Sequence, residues 1–387
     1  MTTFLWILGL GLAAVWVHRV VDAARGAPSV VDVSTAPWDR KTPGEPAPRV
    51  SVILAGRDEG AHIEAALSTL LALDYPNYEI LCVNDRSSDR TGEIMDLLAA
   101  RDSRLRVLHI AELPSGWLGK THALWRAAQM VRGEWLLFTD ADISFRPDAL
   151  RRALSYAQEA GADHLVLFPT TILHSVGERM MIAFFHSLFF FGHRPWKVAD
   201  PKARDFMGVG AFNLVRRSTY EAVGTHRALR MDVLDDMKLG KLIKGNGFAQ
   251  RNVIGQGLIT LHWARGAMGI VRNLTKNMFA LMLYRWPRTL GAIFLLLLLN
   301  LGPFAGVALA PGWSRIGYGI AVAAIAVLYS GISRHLGISR LYFLLHPAAA
   351  LLFTYTLLRS AFHVVRNGGV VWRGTRYSLE ELRRGLV

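Results

Sequence analysis

Cysteine is almost absent: Cys82 stands alone in 387 residues. A lone thiol excludes an intramolecular disulfide and any multi-cysteine zinc or iron–sulfur site, and it fits a domain kept in a reducing compartment. Charge is also sparse. Only 19% of the residues are Asp, Glu, Lys or Arg while 52% are hydrophobic, which excludes a disordered chain and argues against a simple soluble one. Between about Val50 and Thr260 there is no internal repeat and no low-complexity tract. No paired Cys or spaced His set is present either, so His186 and His193 are read as structural. Basic residues exceed acidic ones, 44 against 30, a net charge of +14. The arginines are scattered and not banded with aromatics, so nucleic acid is not an expected partner. Membrane topology and attraction to anionic lipid account for the excess.

What the chain has in quantity is apolar sequence at its two ends. Phe4 to Val21 is uncharged until His18 and Arg19. The leader Met1-Thr2-Thr3 lacks a positive side chain and no small-residue cleavage site follows, so residues 1–22 are expected to be an uncleaved anchor. Thr289 to Ala310, Ile316 to Ile332 and Tyr342 to Val365 are each long enough for a tilted crossing of a hydrocarbon core about 30 Å thick. Residues 289–366 are therefore expected to hold three membrane segments, followed by a basic tail, 367–387. His18, Arg19 and Arg25 after the anchor, with Arg285 and Arg288 before the second stretch, place the middle of the chain in the cytoplasm. The expected location is the inner (cytoplasmic) membrane, multi-pass, with Arg334 and Arg340 on the cytoplasmic side. Parity disagrees with charge: three crossings would put Arg366, Arg373, Arg376, Arg383 and Arg384 outside. Asn300, Gly302 and Pro303 interrupt the second stretch and leave a re-entrant segment open. The number of crossings therefore stays open.

Between Val50 and Thr260 short β-branched runs alternate with helical ones. Strands are expected at Val50 to Leu54, Tyr78 to Asn84, Leu105 to Ile110, Trp135 to Thr139 and His164 to Phe168. Helices are expected at Ile63 to Leu73, Thr91 to Ala100, Thr121 to Val131 and Pro147 to Ala160. This order predicts an α/β domain over residues 50–288 with a mostly parallel sheet, set off from the anchor by a Pro-rich linker, residues 23–49. Met180 to Phe191 is too short to span and too apolar for a soluble surface. It is expected to form an interfacial helix within 174–195, an ordinary core helix being the alternative.

Ligands in such sheets bind beyond the carboxyl ends of the strands, and acids fall there: Asp85 after the second strand, Asp140 and Asp142 after the fourth. Unpaired, these carboxylates would repel, so a divalent cation or basic side chains must sit among them. A turn acid such as Asp89 before Thr91 shows the plainer use of a single Asp. Gly116-Trp117-Leu118-Gly119-Lys120 leads into a helix N-terminus, which suits a phosphate or other anion. Asp235 and Asp236 head a further helical run.

Taken together these residues resemble the membrane-anchored glycosyltransferases of family 2, with the GT-A (Rossmann-like) fold, over about Val50 to Trp286. The nearest likeness is to the hopanoid-associated and ceramide glucosyltransferase-like members. Val52-Ile53-Leu54-Ala55-Gly56-Arg57-Asp58-Glu59 is similar to the family's V-I-I-P-A-R-N-E, with Ala55, Gly56 and Asp58 as departures. Asn84-Asp85-Arg86-Ser87-Ser88-Asp89-Arg90-Thr91 is similar to D-D-x-S-x-D-x-T, with Asn84 for the first Asp. Asp140-Ala141-Asp142 matches D-x-D, and Asp235-Asp236 matches the acidic pair that heads a helix. Arg285-Trp286 matches the end of Q-x-x-R-W, with Met282 in place of Gln.

The resemblance implies a nucleotide-sugar donor, a lipid acceptor, the membrane as partner, and a divalent cation, Mg or Mn. It implies donor binding by Arg57, Glu59, Asp85, Lys120 and Asp140, metal binding by Asp142 and Asp140, and catalysis by Asp236 as base with Asp235 orienting. Gly208, Gly210, Arg285 and Trp286 would lie on the acceptor and diphosphate side, Gly208 to Phe212 as a strand. Arg285 and Trp286 equally suit interfacial anchors. The expected reaction is transfer of a hexose to a lipid hydroxyl with inversion at the cytoplasmic face. Alternatives are a processive polysaccharide synthase, disfavoured by Met282, and a membrane-tethered nucleotide- or metal-binding scaffold. A transporter is disfavoured because the apolar stretches hold no convincing acid or basic pair.

Overall fold

The hydrophobic periods above become elements with small changes at their ends. The computed structural model describes residues 2–386, so Met1 of the expected anchor and Val387 of the tail lie outside the described residues. The chain opens with α1 (Thr2–Gly26), then β1 (Val50–Gly56), α2 (Ile63–Leu71), β2 (Tyr78–Asp85), α3 (Thr91–Ala99), β3 (Leu105–Ile110), α4 (Gly119–Met130) and β4 (Trp135–Asp140). It continues through β5 (Ser144–Phe145), α5 (Ala149–Glu159), β6 (His164–Phe168), β7 (Thr170–Thr171), α6 (Val176–Gly192), β8 (Asn213–Arg216), α7 (Arg217–Ala222), α8 (Asp235–Gly245), β9 (Gln250–Ile254) and β10 (Ile259–Leu261). Then come α9 (Gly266–Leu281), α10 (Trp286–Asn300), α11 (Gly302–Leu309), α12 (Arg315–Leu336), α13 (His346–Arg366), β11 (Gly369–Trp372), β12 (Thr375–Ser378) and α14 (Leu379–Arg384). Contacts divide the chain into an α/β unit, Val30–Ile172 with Pro195–Leu261 and Trp372–Val387, and a helical unit made of the remaining segments.

In the α/β unit seven strands run in the order β3-β2-β1-β4-β8-β6-β9. All neighbours are parallel except β8, which is antiparallel to both β4 and β6. The mostly parallel sheet expected from the alternation is therefore present. Both of its faces are covered, as parallel sheets require. Alternation along β1 sends Val50, Val52 and Leu54 to one core with Leu67 of α2 and Leu154 of α5. Ile53 goes to the other core with Ala123 and Leu124 of α4 and Leu239 of α8. Periodicity missed β8 because it is only four residues long and starts with a polar residue, Asn213, which is buried against His164 Nε2 at 2.9 Å. Gly208 to Phe212, expected as a strand, instead form the turn that leads into β8. The Pro-rich stretch packs on this unit: Val33 donates its N–H to the Ile254 carbonyl at 2.9 Å, and Val33 and Trp38 enter the core.

The helical unit is built on apolar packing of α6, α9 and α13, through Met181, Ile182 and Phe184 against Ile270, Leu274, Ala350 and Phe353. Its α1 is fixed by the indole of Trp16, which donates to the Leu299 carbonyl at 2.7 Å. Among the described residues three helices are long and apolar enough to cross a membrane: Thr2–Ser29, Gly312–Leu336 and Arg340–Arg366. The stretch from Thr289 to Ala310 is broken at Leu301 into α10 and α11, of 15 and 8 residues, and the pair α9 and α10 is bent by 119°. Phe294, Leu309, Val327 and Phe362 lie exposed on this unit, a surface suited to lipid rather than water.

Candidate active cleft

Parallel pairing brings the last residues of β1, β2 and β4 to one rim, because Gly56 is in register with Asn84 and Ala55 with Asp140. The first turns of α4 and α8 face the same rim. Lys120, second residue of α4, sets its Nζ 2.7 Å from Asp140 Oδ1 and 3.7 Å from Asp235 Oδ1. Burial works against the ammonium, yet Asp140, Asp235 and Asp236 more than offset it and hold the Lys120 pKa above its usual value.

Two glycines let the chain pass between β4 and α8. A side chain on Gly210 would run into the Asp140 carboxylate, and one on Gly208 into the Asp236 carbonyl. Gly210 N–H donates to Asp236 Oδ2 at 2.7 Å, and Met237 N–H to Oδ1 at 2.7 Å. Asp235, by contrast, is buried, with His226 Nε2 3.9 Å from its carboxylate. Burial raises the pKa of both acids, while Lys120 pulls the other way. Asp142, two residues past Asp140, is exposed. Partial withdrawal from water, then the charges of Asp140 and Glu59, push its pKa up to about 6.

Asp85 closes the other side. It is 4% exposed, and Arg86, in the left-handed region at φ 57°, folds back to donate twice to it, at 2.8 and 3.0 Å. A side chain on Gly119 would meet the same carboxylate, so Asp85 borders the turn that carries Lys120. The loop after β1 is laced to the loop after β2: Ser88 N–H donates to Asp58 Oδ1 at 2.8 Å and Glu59 N–H to Thr91 Oγ1 at 2.8 Å. Asp89 accepts from the N–H groups of Thr91 and Gly60, the turn role its position predicts.

The sequence candidates Arg57, Glu59, Asp85, Lys120, Asp140, Asp142, Gly208, Gly210, Asp235 and Asp236 thus all lie in the α/β unit, at the carboxyl ends of its strands or on the loops and helix starts facing them. Arg285 and Trp286 belong to the helical unit, where Arg285 precedes α10 at its N-cap position and Trp286 packs tilted against Phe279 and edge-on against Phe362. Four residues not singled out from the sequence also reach the cleft. Arg86 is one. The others come from the C-terminal segment: Arg373 pairs with Glu59, Thr375 Oγ1 accepts from Arg57 at 2.8 Å, and the Tyr377 hydroxyl accepts from Gly119 N–H at 3.1 Å. The available signal was Arg373-Gly374 between Val370-Val371-Trp372 and Thr375-Arg376-Tyr377, a two-residue hairpin turn. Both turn residues have positive φ, 48° and 74°.

Among the described residues no three His, Cys, Asp or Glu side chains close on one point as a complete metal cage. The donor set nonetheless fits Mg²⁺ or Mn²⁺, which take one or two carboxylates and complete their shell with water and phosphate. Asp140 and Asp142 supply hard oxygens; burial is the main cause of the raised Asp142 pKa, and the charges of Asp140 and Glu59 that add to it are what a cation would offset.

Comparison with known proteins agrees with this architecture. Residues 51–224 match the family model described as Glycosyl transferase family 2. Curated relatives include the 4,4'-diaponeurosporenoate glycosyltransferase of Staphylococcus haemolyticus (strain JCSC1435), 21% identical over 352 residues, covering 89% of this chain and 92% of the relative. The protein of that name from Staphylococcus aureus (strain bovine RF122 / ET3-1) is also 21% identical, over 86% of this chain and 89% of the relative. Among solved structures, a mannosyltransferase from Pyrobaculum calidifontis in complex with GDP-Man and Mn²⁺ superposes with a TM-score of 0.54 at 18% identity, over 92% of this chain and 97% of that one. That likeness identifies a GT-A-like fold.

Proposed function

Starting from residues 51–224 as a glycosyltransferase family 2 domain of GT-A fold, we propose that this chain moves a sugar from a nucleoside-diphosphate donor to a hydroxyl of a membrane lipid, with inversion, at the cytoplasmic face of the inner membrane. One observation carries the reading: Asp140, Asp235 and Asp236 meet around Lys120 beyond the ends of parallel strands. Asp236 takes the proton of the acceptor hydroxyl, the freed oxygen bonds to the anomeric carbon, and the bond to the diphosphate breaks. A carboxylate with a raised pKa is the better base near neutrality, and such assistance is worth about 10² to 10⁴ in rate. Asp235 orients the head of α8, and Lys120 faces the departing diphosphate. Asp140 and Asp142 would hold Mg²⁺ or Mn²⁺, which when bound neutralises charge on the leaving group. Arg57, Glu59 and Asp85 define the nucleoside side, and Gly208 and Gly210 the acceptor side.

The lipid acceptor is supported by the curated relatives, named for a lipid-like acceptor, diaponeurosporenoate. It is supported also by the motif likeness to hopanoid-associated and ceramide glucosyltransferase-like members. Arg285 and Trp286 would anchor at the bilayer surface on the acceptor side. The tail supports an even number of crossings: Trp372–Val387 groups with the α/β unit, and both would then lie on one side. Gly312–Leu336 and Arg340–Arg366 are then the returning pair, with α9 to α11 on the cytoplasmic side or re-entrant. The five tail arginines thereby join the domain's side, and Arg334 and Arg340 move to the opposite one.

The test is expression in a host membrane supplied with a panel of UDP- and GDP-sugars, followed by lipid mass spectrometry. A lipid gaining one hexose, with release of one nucleoside diphosphate, is expected. A polymer product, or nucleotide binding without release, contradicts the proposal.

A further inference from the structure

The two loops that face the nucleoside side are held by a segment that follows the last membrane helix. Tyr377 is 6% exposed and Leu382 is fully buried. Ser378 and Glu381 cap α14 reciprocally, and a side chain on Gly385 would run into Met231. The segment is therefore docked on the α/β unit by its own core contacts, not draped over it. From this base it reaches three separate parts of the cleft. The Tyr377 hydroxyl accepts the first N–H of α4, from Gly119, and lies beside the Arg86 guanidinium that grips Asp85. Thr375 receives Arg57, and Arg373 meets Glu59. An ordinary surface tail has no reason to select these partners, which lie on three different loops yet border one cleft.

We propose that this C-terminal hairpin is a wall of the donor site, with Tyr377 and Arg373 as positioning residues that hold the Gly119 turn and the Glu59 loop in nucleotide-binding geometry. The inference rests on the nucleotide-sugar reading above. Tyr377 carries the larger share, because its bond is buried. Arg373 and Glu59 form a solvent-exposed pair, the Arg373 side chain being 45% exposed, and such pairs contribute little.

The experiment compares full-length wild type, Tyr377→Phe and Arg373→Gln in a defined membrane, measuring donor KM, acceptor KM, kcat and thermal midpoint. Tyr377→Phe keeps the ring packing and removes only the hydroxyl. Its donor KM should rise by up to about tenfold, the worth of one hydrogen bond, with kcat and acceptor KM unchanged and the midpoint lowered by only about 2–4 °C. Arg373→Gln should raise donor KM by about two- to threefold, and Arg373→Lys should restore it. Unchanged donor KM in both variants, or an equal change in acceptor KM and kcat, overturns the inference while leaving sugar transfer intact. Wild-type protein that releases no nucleoside diphosphate from any donor overturns the parent reading, and this one with it.

Discussion

Replacing Lys120 by Met removes the ammonium that sits 2.7 Å from Asp140 and 3.7 Å from Asp235 while keeping an apolar stem of similar length. Breaking a buried ion pair costs about 3–5 kcal/mol, because the partner charge is stranded. Asp140 has a side chain 39% exposed, so its part is screened, but Asp235 is only 6% exposed. The net loss expected is about 2–3 kcal/mol, roughly 5–10 °C in the unfolding midpoint of a unit this size. The loss must depend on pH in a defined sense. Without Lys120 the acids' folded-state pKa values rise further above their unfolded values. The variant therefore gains protons on folding, and its stability recovers as pH falls. Unfolding of detergent-solubilised protein at pH 8 and pH 5, with and without Mn²⁺, reads this directly. The deficit should be largest at pH 8, shrink at pH 5, and shrink at pH 8 when Mn²⁺ is added. An unaltered midpoint, or an equal deficit under all three conditions, refutes the arrangement of charges around Lys120.

The other expected outcomes concern the metal, the glycine turn and the tail. Asp142, with its pKa raised to about 6, must lose its proton to bind a cation, so Mn²⁺ affinity measured by calorimetry should climb as pH rises through 6. Asp142→Ala should remove that slope, and a flat profile in wild type would contradict the assignment. Gly210→Ala should press a methyl group on the Asp140 carboxylate and lower turnover at least tenfold with little change in midpoint; native turnover would show that the loop has room. A cysteine placed at Arg384 and one at Glu93 should be labelled from the same side of sealed vesicles, and opposite sidedness would end the two-crossing topology.

Much of the sheet was legible because its strands are apolar on both faces and their ends carry acids. Val50 to Gly56, Tyr78 to Asp85 and Trp135 to Asp140 differ from expectation by one or two residues at their ends. The pairing of Lys120 with Asp140 was implicit in two motifs twenty residues apart, but only folding could put the ammonium between Asp140 and Asp235. β8 escaped because four residues give no period. The C-terminal wall escaped for another reason: Arg373 and Tyr377 lie more than 250 residues from Gly119, and no local pattern encodes a contact over that separation. Arg-rich sequence after a membrane helix read as topology alone. The break at Leu301 was signalled by Asn300, Gly302 and Pro303, whereas the grouping of the tail with the α/β unit had no local signal.

The most direct test of the proposed chemistry is Asp236→Asn, assayed for nucleoside diphosphate release and, separately, for donor binding. Asn keeps the shape and one of the two oxygens that accept from the Gly210 and Met237 N–H groups, but it cannot accept the acceptor's proton. Transfer should fall by at least about 10², with donor affinity within about twofold of wild type. A variant that transfers sugar at the native rate would contradict the account.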